Sequence, residues 1–202
     1  MILEYYSDIL LASNPLPQNV ARTIHKLHPL MVRQPGTYAL AFPRMKAGNL
    51  SGDLPEIGPI LRVFARNREA IEAALDHLES GSFSSSALSP ILQVGRVRPV
   101  PSDHDGAWVS YQRLRIPAVQ GVTEQHREKR ALLREKRAQD AKGLPYVILT
   151  SASTKRKFSL FVNPVRQDTK PEQSAERCDG YGLSSRESPV WLPDLHFLGE
   201  QK

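Results

Sequence analysis

The tightest constraint on this chain lies in its first hundred residues, where apolar runs of two different periods alternate. Residues 2–11 are rich in β-branched and aromatic side chains and predict a strand. After the break at Asn14-Pro15-Leu16-Pro17, Val20, Ile24, Leu27 and Met31 recur at helical spacing and predict an amphipathic helix over 18–33. Gln34-Pro35-Gly36 ends it, and strands follow at 37–42 and 59–65. Asn67 opens a second helix whose apolar positions are Ile71, Ala74, Leu75 and Leu78, with Gly81 after its end. A Ser-rich connector over 81–90 leads into a strand over 91–100. The resulting order, β-α-β-β-α-β, is the split arrangement of a ferredoxin-like fold closing near residue 100. The expected class is therefore α+β, with units at 1–100 and 101–202.

The second half is organised differently. It predicts a strand over 107–114, a highly charged helix, and strands over 145–151 and 157–165 joined by a Ser-Thr-Lys-Arg turn. A polar loop and a Pro-punctuated tail past Pro189 complete it, and Trp191, Leu195 and Phe197 there suit either a docking segment or a fold-back. No apolar run approaches the roughly 18 residues of a membrane span. The first eight residues carry acids where a secretory leader carries Lys or Arg, so the chain reads as cytoplasmic, with no membrane partner. One cysteine, Cys178, supports neither an internal disulfide nor a four-cysteine zinc site.

Charge separates the halves further. The formal charge is +6, from 27 basic and 21 acidic residues. Between Tyr111 and Lys142 stand nine basic residues and four acidic ones, so that segment holds nearly all of the excess. Basic charge gathered in one element is an electrostatic footprint for a polyanion, most commonly nucleic acid. Thr123 is placed to cap a helix running to about Lys142. At about 100° per residue, Arg127, Arg130, Arg134 and Arg137 fall within an arc of about 80°. Glu124, Glu128 and Glu135 gather on a neighbouring stripe, and Leu132 and Leu133 point apart. A helix with no broad apolar face and four aligned guanidiniums is built to grip a ligand rather than to pack, and the planar fork of arginine suits phosphate and base edges.

Chemical motifs are sparse. There is no P-loop, GxGxxG, HExxH or CxxC, and the acids are scattered, so nucleotide-driven, dinucleotide, zinc and two-metal chemistries have no handle. No metal or cofactor is expected. Of six histidines, His28 stands at the edge of the first helix's apolar face, where a structural role and a catalytic one are both open. Ser151 and Ser153 lie at a strand end before a basic turn, and Tyr181 stands between two glycines. From the residues alone this is a basic nucleic-acid-binding protein, with nuclease activity an open question.

Taken together, several of these segments resemble the CRISPR-associated endoribonuclease of type I-F systems. They are Lys26-Leu27-His28, Val109-Ser110-Tyr111-Gln112-Arg113, the arginine helix, the run from Leu144 to Thr154, Phe158-Ser159-Leu160-Phe161-Val162 and Tyr181-Gly182-Leu183-Ser184. The resemblance spans essentially the whole chain and implies a ferredoxin-like unit of the RAMP type followed by a divergent α/β unit. It implies that precursor crRNA is cut at the base of the repeat stem-loop by metal-independent attack of a ribose 2′-OH, leaving a cyclic phosphate. In that scheme His28 is the base, Ser151 holds the nucleophilic hydroxyl and Tyr181 orients the histidine. Ser153 binds phosphate, Phe158 packs on a nucleotide, and Arg113 reads a guanine edge. Arg127, Arg130, Arg134 and Arg137 lie along the hairpin groove.

Arg115 departs from the family pattern by standing where a glutamine reads adenine. Pro29, directly after His28, departs as well and predicts a kinked or interrupted helix. The implied partners are the repeat stem-loop and the other subunits of a type I-F crRNA-guided complex, the free protein being monomeric. Two other readings compete: a non-catalytic hairpin-binding subunit of a CRISPR or CRISPR-transposon ribonucleoprotein, and a DNA-binding protein using the basic helix.

Overall fold

A computed structural model describes residues 3–14, 16–48, 53–80, 89–118, 123–151 and 153–195. Its first half contains β1 (Tyr5–Leu11), α1 (Leu16–Arg33), β2 (Tyr38–Ala41), β3 (Ile60–Ala65), α2 (Arg68–Glu79), β4 (Ile91–Val94) and β5 (Arg98–Pro99). The strands form one sheet in the order β2-β3-β1-β4, with β5 also on β1, and every pairing is antiparallel. That order is the ferredoxin-like one predicted. All six positions of β3 are buried, Arg62 along with its five apolar residues. α1 buries Val20, Ile24, Leu27 and Met31, and α2 buries Ile71, Ala74 and Leu78. The Asn67 side chain accepts from Ala70 N at 2.9 Å, the expected cap. The residue expected after the end of α2, Gly81, lies outside the described residues, as does Phe197.

Three local expectations are corrected. The strand over 91–100 is two pieces. Ile9 faces Val94 while Tyr6 faces Arg98, so one extra residue is accommodated opposite β1. Gly95 sits in this bulge, donating to Asp8 O at 2.7 Å and accepting from Ser7 Oγ at 2.8 Å. A Cβ there would stand 2.9 Å from the Asp8 carbonyl oxygen, which is why the residue is glycine. Second, α1 runs unbroken through Pro29. The proline is exposed, and the buried Leu27 and Met31 on either side hold the helix against the sheet despite the lost backbone bond. Third, Thr123 occupies the N-cap of the arginine helix without capping its backbone; its hydroxyl bonds the His126 ring instead, at 2.8 Å.

The second half contains β6 (Trp108–Leu114), α3 (Glu124–Asp140), β7 (Tyr146–Thr150), β8 (Lys157–Gln167) and β9 (Leu192–Pro193). These strands form an antiparallel sheet in the order β7-β8-β6-β9. α1 packs against β7, so Val147, Leu149, Leu160 and Val162 join one continuous core with the first sheet. The tail folds back: Val190, Trp191, Leu192 and Leu195 are buried. Leu195 O accepts from Arg62 Nη1 at 2.7 Å, and the fully buried Arg62 guanidinium also holds the Asp8 carboxylate with two bonds, of 2.5 and 3.0 Å.

Residues 179–184 stitch the two sheets together. Leu40 N on β2 donates to Gly182 O at 2.8 Å, while Ser184 exchanges backbone bonds with Tyr111 and Arg113 on β6. Gly182 has φ +71°, and a Cβ there would lie 2.8 Å from Leu40 Cγ, so glycine is required on both counts. Among the described residues no helix is long and apolar enough to cross a membrane.

Candidate active site

The stitch between the sheets brings several of the candidate residues together. α1 brings His28 to it half-buried, at the edge of its packed face. The His28 Nδ1 lies 2.5 Å from Gly180 O. A carbonyl oxygen only accepts, so Nδ1 carries a proton, and in the neutral ring the lone pair is on Nε2. The imidazole lies flat on the Tyr181 ring, 4.2 Å between centroids and 5° from parallel. Burial raises the Tyr181 phenol above its ordinary pKa, with Arg113 partly offsetting, so the ring stays neutral at physiological pH. Phe158, on β8, meets Tyr181 edge-on at 5.9 Å.

Basic groups surround this stack. The Arg113 guanidinium sits 4.7 Å from the Tyr181 centroid and 5.6 Å from that of Phe158. It also donates to Asp179 Oδ2 at 3.0 Å, and Arg115 reaches the same oxygen at 3.4 Å. Arg113, Arg115 and Asp179 line an open cleft of about 810 Å³ whose far wall includes Arg137 from the last turn of α3. Arg127, Arg130 and Arg134 lie exposed along the rest of that helix, with Arg134 Nη1 touching Pro117 O at 3.3 Å. Leu132 and Leu133 are 68% and 45% exposed, so α3 stands off the body as its missing apolar face predicts.

His28, Tyr181, Phe158, Arg113 and Arg115 are thus brought together. Ser151 and Ser153 lie in the β7–β8 turn, and among the described residues neither hydrogen-bonds to that stack. Ser151 ends the strand against which α1 packs, and its Oγ accepts from Thr154 N at 3.2 Å and pairs with Ser153 Oγ at 3.2 Å. Ser151 therefore helps shape the turn, while its hydroxyl proton remains available to Ser153 or another acceptor. Lys155 closes the turn with φ 55°. Among the described residues no group of three or more His, Cys, Asp or Glu side chains is placed to hold a metal.

Two contributors were missed from sequence. Gly180 supplies the carbonyl that fixes the histidine, and Asp179 binds both arginines as well as the Tyr181 and Leu183 amides. The available signal was the run Asp179-Gly180-Tyr181-Gly182, an Asx head on a tight turn.

The family model for "CRISPR-associated protein (Cas_Csy4)" matches residues 6–192. The chain belongs to this family. Membership agrees with the type I-F resemblance and supports a role in processing or binding CRISPR repeat RNA. No curated protein matches the chain. Among solved structures, it is similar to one described as a RAMP protein binding different RNA substrates, at 12% identity over 95% of this chain and 100% of that one, TM-score 0.36. It is likewise similar to a Cas6-related protein from Pyrococcus furiosus, at 12% identity over 95% and 100% of the two chains, TM-score 0.31. Superpositions this loose add nothing to the family match.

Proposed function

We propose that this Cas_Csy4-family chain is an endoribonuclease that cuts precursor crRNA at the base of the repeat stem-loop and then retains the hairpin within a crRNA-guided complex. Residues 1–100 supply the base and 101–202 the RNA-binding surface. The observation that carries this reading is the locked tautomer of His28, which leaves Nε2 as the proton acceptor on an imidazole stacked against the same Tyr181 ring that the Arg113 guanidinium meets. Nε2 takes the proton of a ribose 2′-OH, and the 2′ oxygen bonds the adjacent phosphorus. The P–O5′ bond breaks, giving a 2′,3′-cyclic phosphate and, once protonated, a 5′-OH. The step needs no metal and no redox partner. Ser151 steadies the 2′-OH in line with the leaving oxygen, with Ser153 near the phosphate. Phe158 and Arg113 meet the nucleotides at the stem base, while α3 follows the hairpin.

Single-turnover cleavage of the repeat hairpin in EDTA tests this, run beside the same RNA with a 2′-deoxyribose before the cut. Cleavage of the first with intact, bound deoxy RNA is expected. Tight binding without cleavage of either makes the chain a hairpin-binding subunit only. Equal affinity for an all-DNA hairpin overturns RNA recognition altogether.

A further inference from the structure

We propose that Asp179 is a positioning and specificity-determining residue, one carboxylate oxygen aiming His28 and the other aiming Arg113 and Arg115. The proposal rests on the ribonuclease reading above.

Oδ1 accepts from Tyr181 N at 2.8 Å and Leu183 N at 3.2 Å, which fixes the turn. That turn directs the Gly180 carbonyl at His28 and lays the Tyr181 ring against the imidazole. Oδ2 accepts from Arg113 Nη1 at 3.0 Å and from Arg115 Nη2 at 3.4 Å. Four donors thus occupy the four lone-pair sites of one carboxylate. Three consecutive residues consequently divide the work: 179 holds the arginines, 180 holds the base and 181 stacks on it.

The orientation of Arg113 has a chemical meaning. With Nη1 committed to Asp179, the guanidinium keeps its other N–H groups for a second planar partner, and guanine O6 and N7 offer such a pair of acceptors. Tyr181 and Phe158 fix the plane of that fork. Without the carboxylate, the two neighbouring cations repel each other and lose their shared anchor. Arg115, 69% exposed and more loosely held, is the partner freer to leave for RNA.

Asp179→Asn and Asp179→Ala separate the two oxygens. Asparagine keeps an acceptor for the two amides but turns an NH2 donor toward the arginines; alanine removes both functions. The first readout is the His28 tautomer, taken by ¹⁵N NMR on the protein alone, with a His28→Gln variant for assignment. Wild type and Asp179→Asn are expected to show Nδ1–H, and Asp179→Ala an imidazole released toward the Nε2–H form.

The second readout is the affinity ratio between the locus's own repeat hairpin and copies in which each stem G·C pair becomes A·U in turn. Wild type is expected to prefer guanine at least 10-fold at one position, and Asp179→Asn to lower that preference to under 3-fold, since such a pair discriminates by about 5- to 150-fold. Nδ1–H retained in Asp179→Ala overturns the aiming of His28, and full guanine preference in Asp179→Asn overturns the aiming of the arginines. A wild type that binds no hairpin sinks the ribonuclease reading and the specificity half with it. The tautomer result, obtained without RNA, stands or falls by itself.

Discussion

In the proposed reaction His28 owes its competence to an acceptor that cannot titrate. A carbonyl opposite Nδ1 fixes the tautomer at any pH where the ring is neutral, which a carboxylate partner would do only at the cost of added charge. Replacing His28 by alanine is expected to slow single-turnover cleavage by about 10²–10⁴-fold, the usual worth of a general base, with hairpin affinity within about 3-fold of wild type. Filter binding and quenched cleavage on the same RNA measure the two separately. Tyr111 carries a different signature. Burial pushes its phenol up to about 12, so the folded state keeps a proton that the unfolded state releases near pH 10. Stability from this group is therefore complete below about pH 10 and falls as pH rises toward 12, by roughly 1.4 kcal/mol per unit. Urea midpoints taken across that window are expected to decline in wild type and to flatten in Tyr111→Phe. At this scale the sequence was half legible. A histidine on a helix edge and a tyrosine between glycines each announced themselves. The Gly180 carbonyl on the histidine, and the Asp179 carboxylate on Arg113, are contacts across 152 and 66 residues that no local pattern encodes.

Elements were easier to read because their periodicity is local. The apolar spacing of α1 and α2 and the Asn67 cap predicted both helices, whereas β7, an apolar run without alternation, buries Val147 and Leu149 and leaves Tyr146 and Ile148 exposed. Two of the misses share one cause, tertiary contact overriding local preference: a bulge opposite β1 splits the fourth strand, and packing against the sheet carries α1 through Pro29, whereas Thr123 directs its hydroxyl locally to His126. α3 is the opposite case, an element whose amino acids describe it fully because it touches so little. Its role makes a salt prediction. Each phosphate lost as a contact lowers the slope of log K against log salt by about 0.7–0.9, so Arg130→Ala is expected to flatten the hairpin's salt dependence by nearly one unit. Fluorescence titrations from low to moderate salt measure it. An unchanged slope removes Arg130 from the interface.

The whole molecule is held by long-range joints rather than by a linker between halves. The 179–184 stitch is one; another is Arg62, 1% exposed, which reaches Leu195 O in the tail and pairs with the Asp8 carboxylate opposite it on β1. Removing the carboxylate leaves a guanidinium stranded in the core, and Asp8→Ala is expected to destabilise the fold by about 3–5 kcal/mol in urea unfolding. A loss below 1 kcal/mol would mean that Leu195 and the Tyr6 ring, 4.9 Å away, satisfy the arginine without help.

That arginine also sets an order of events during synthesis. Its third hydrogen bond goes to the carbonyl of Leu195, 133 residues further along the chain. A nascent polypeptide that has already emerged with all the strands of its first sheet still lacks an acceptor for one of that sheet's most deeply buried cations. The first half is thus left to wait on the ribosome in an incompletely satisfied state until Leu195 has emerged to lock it.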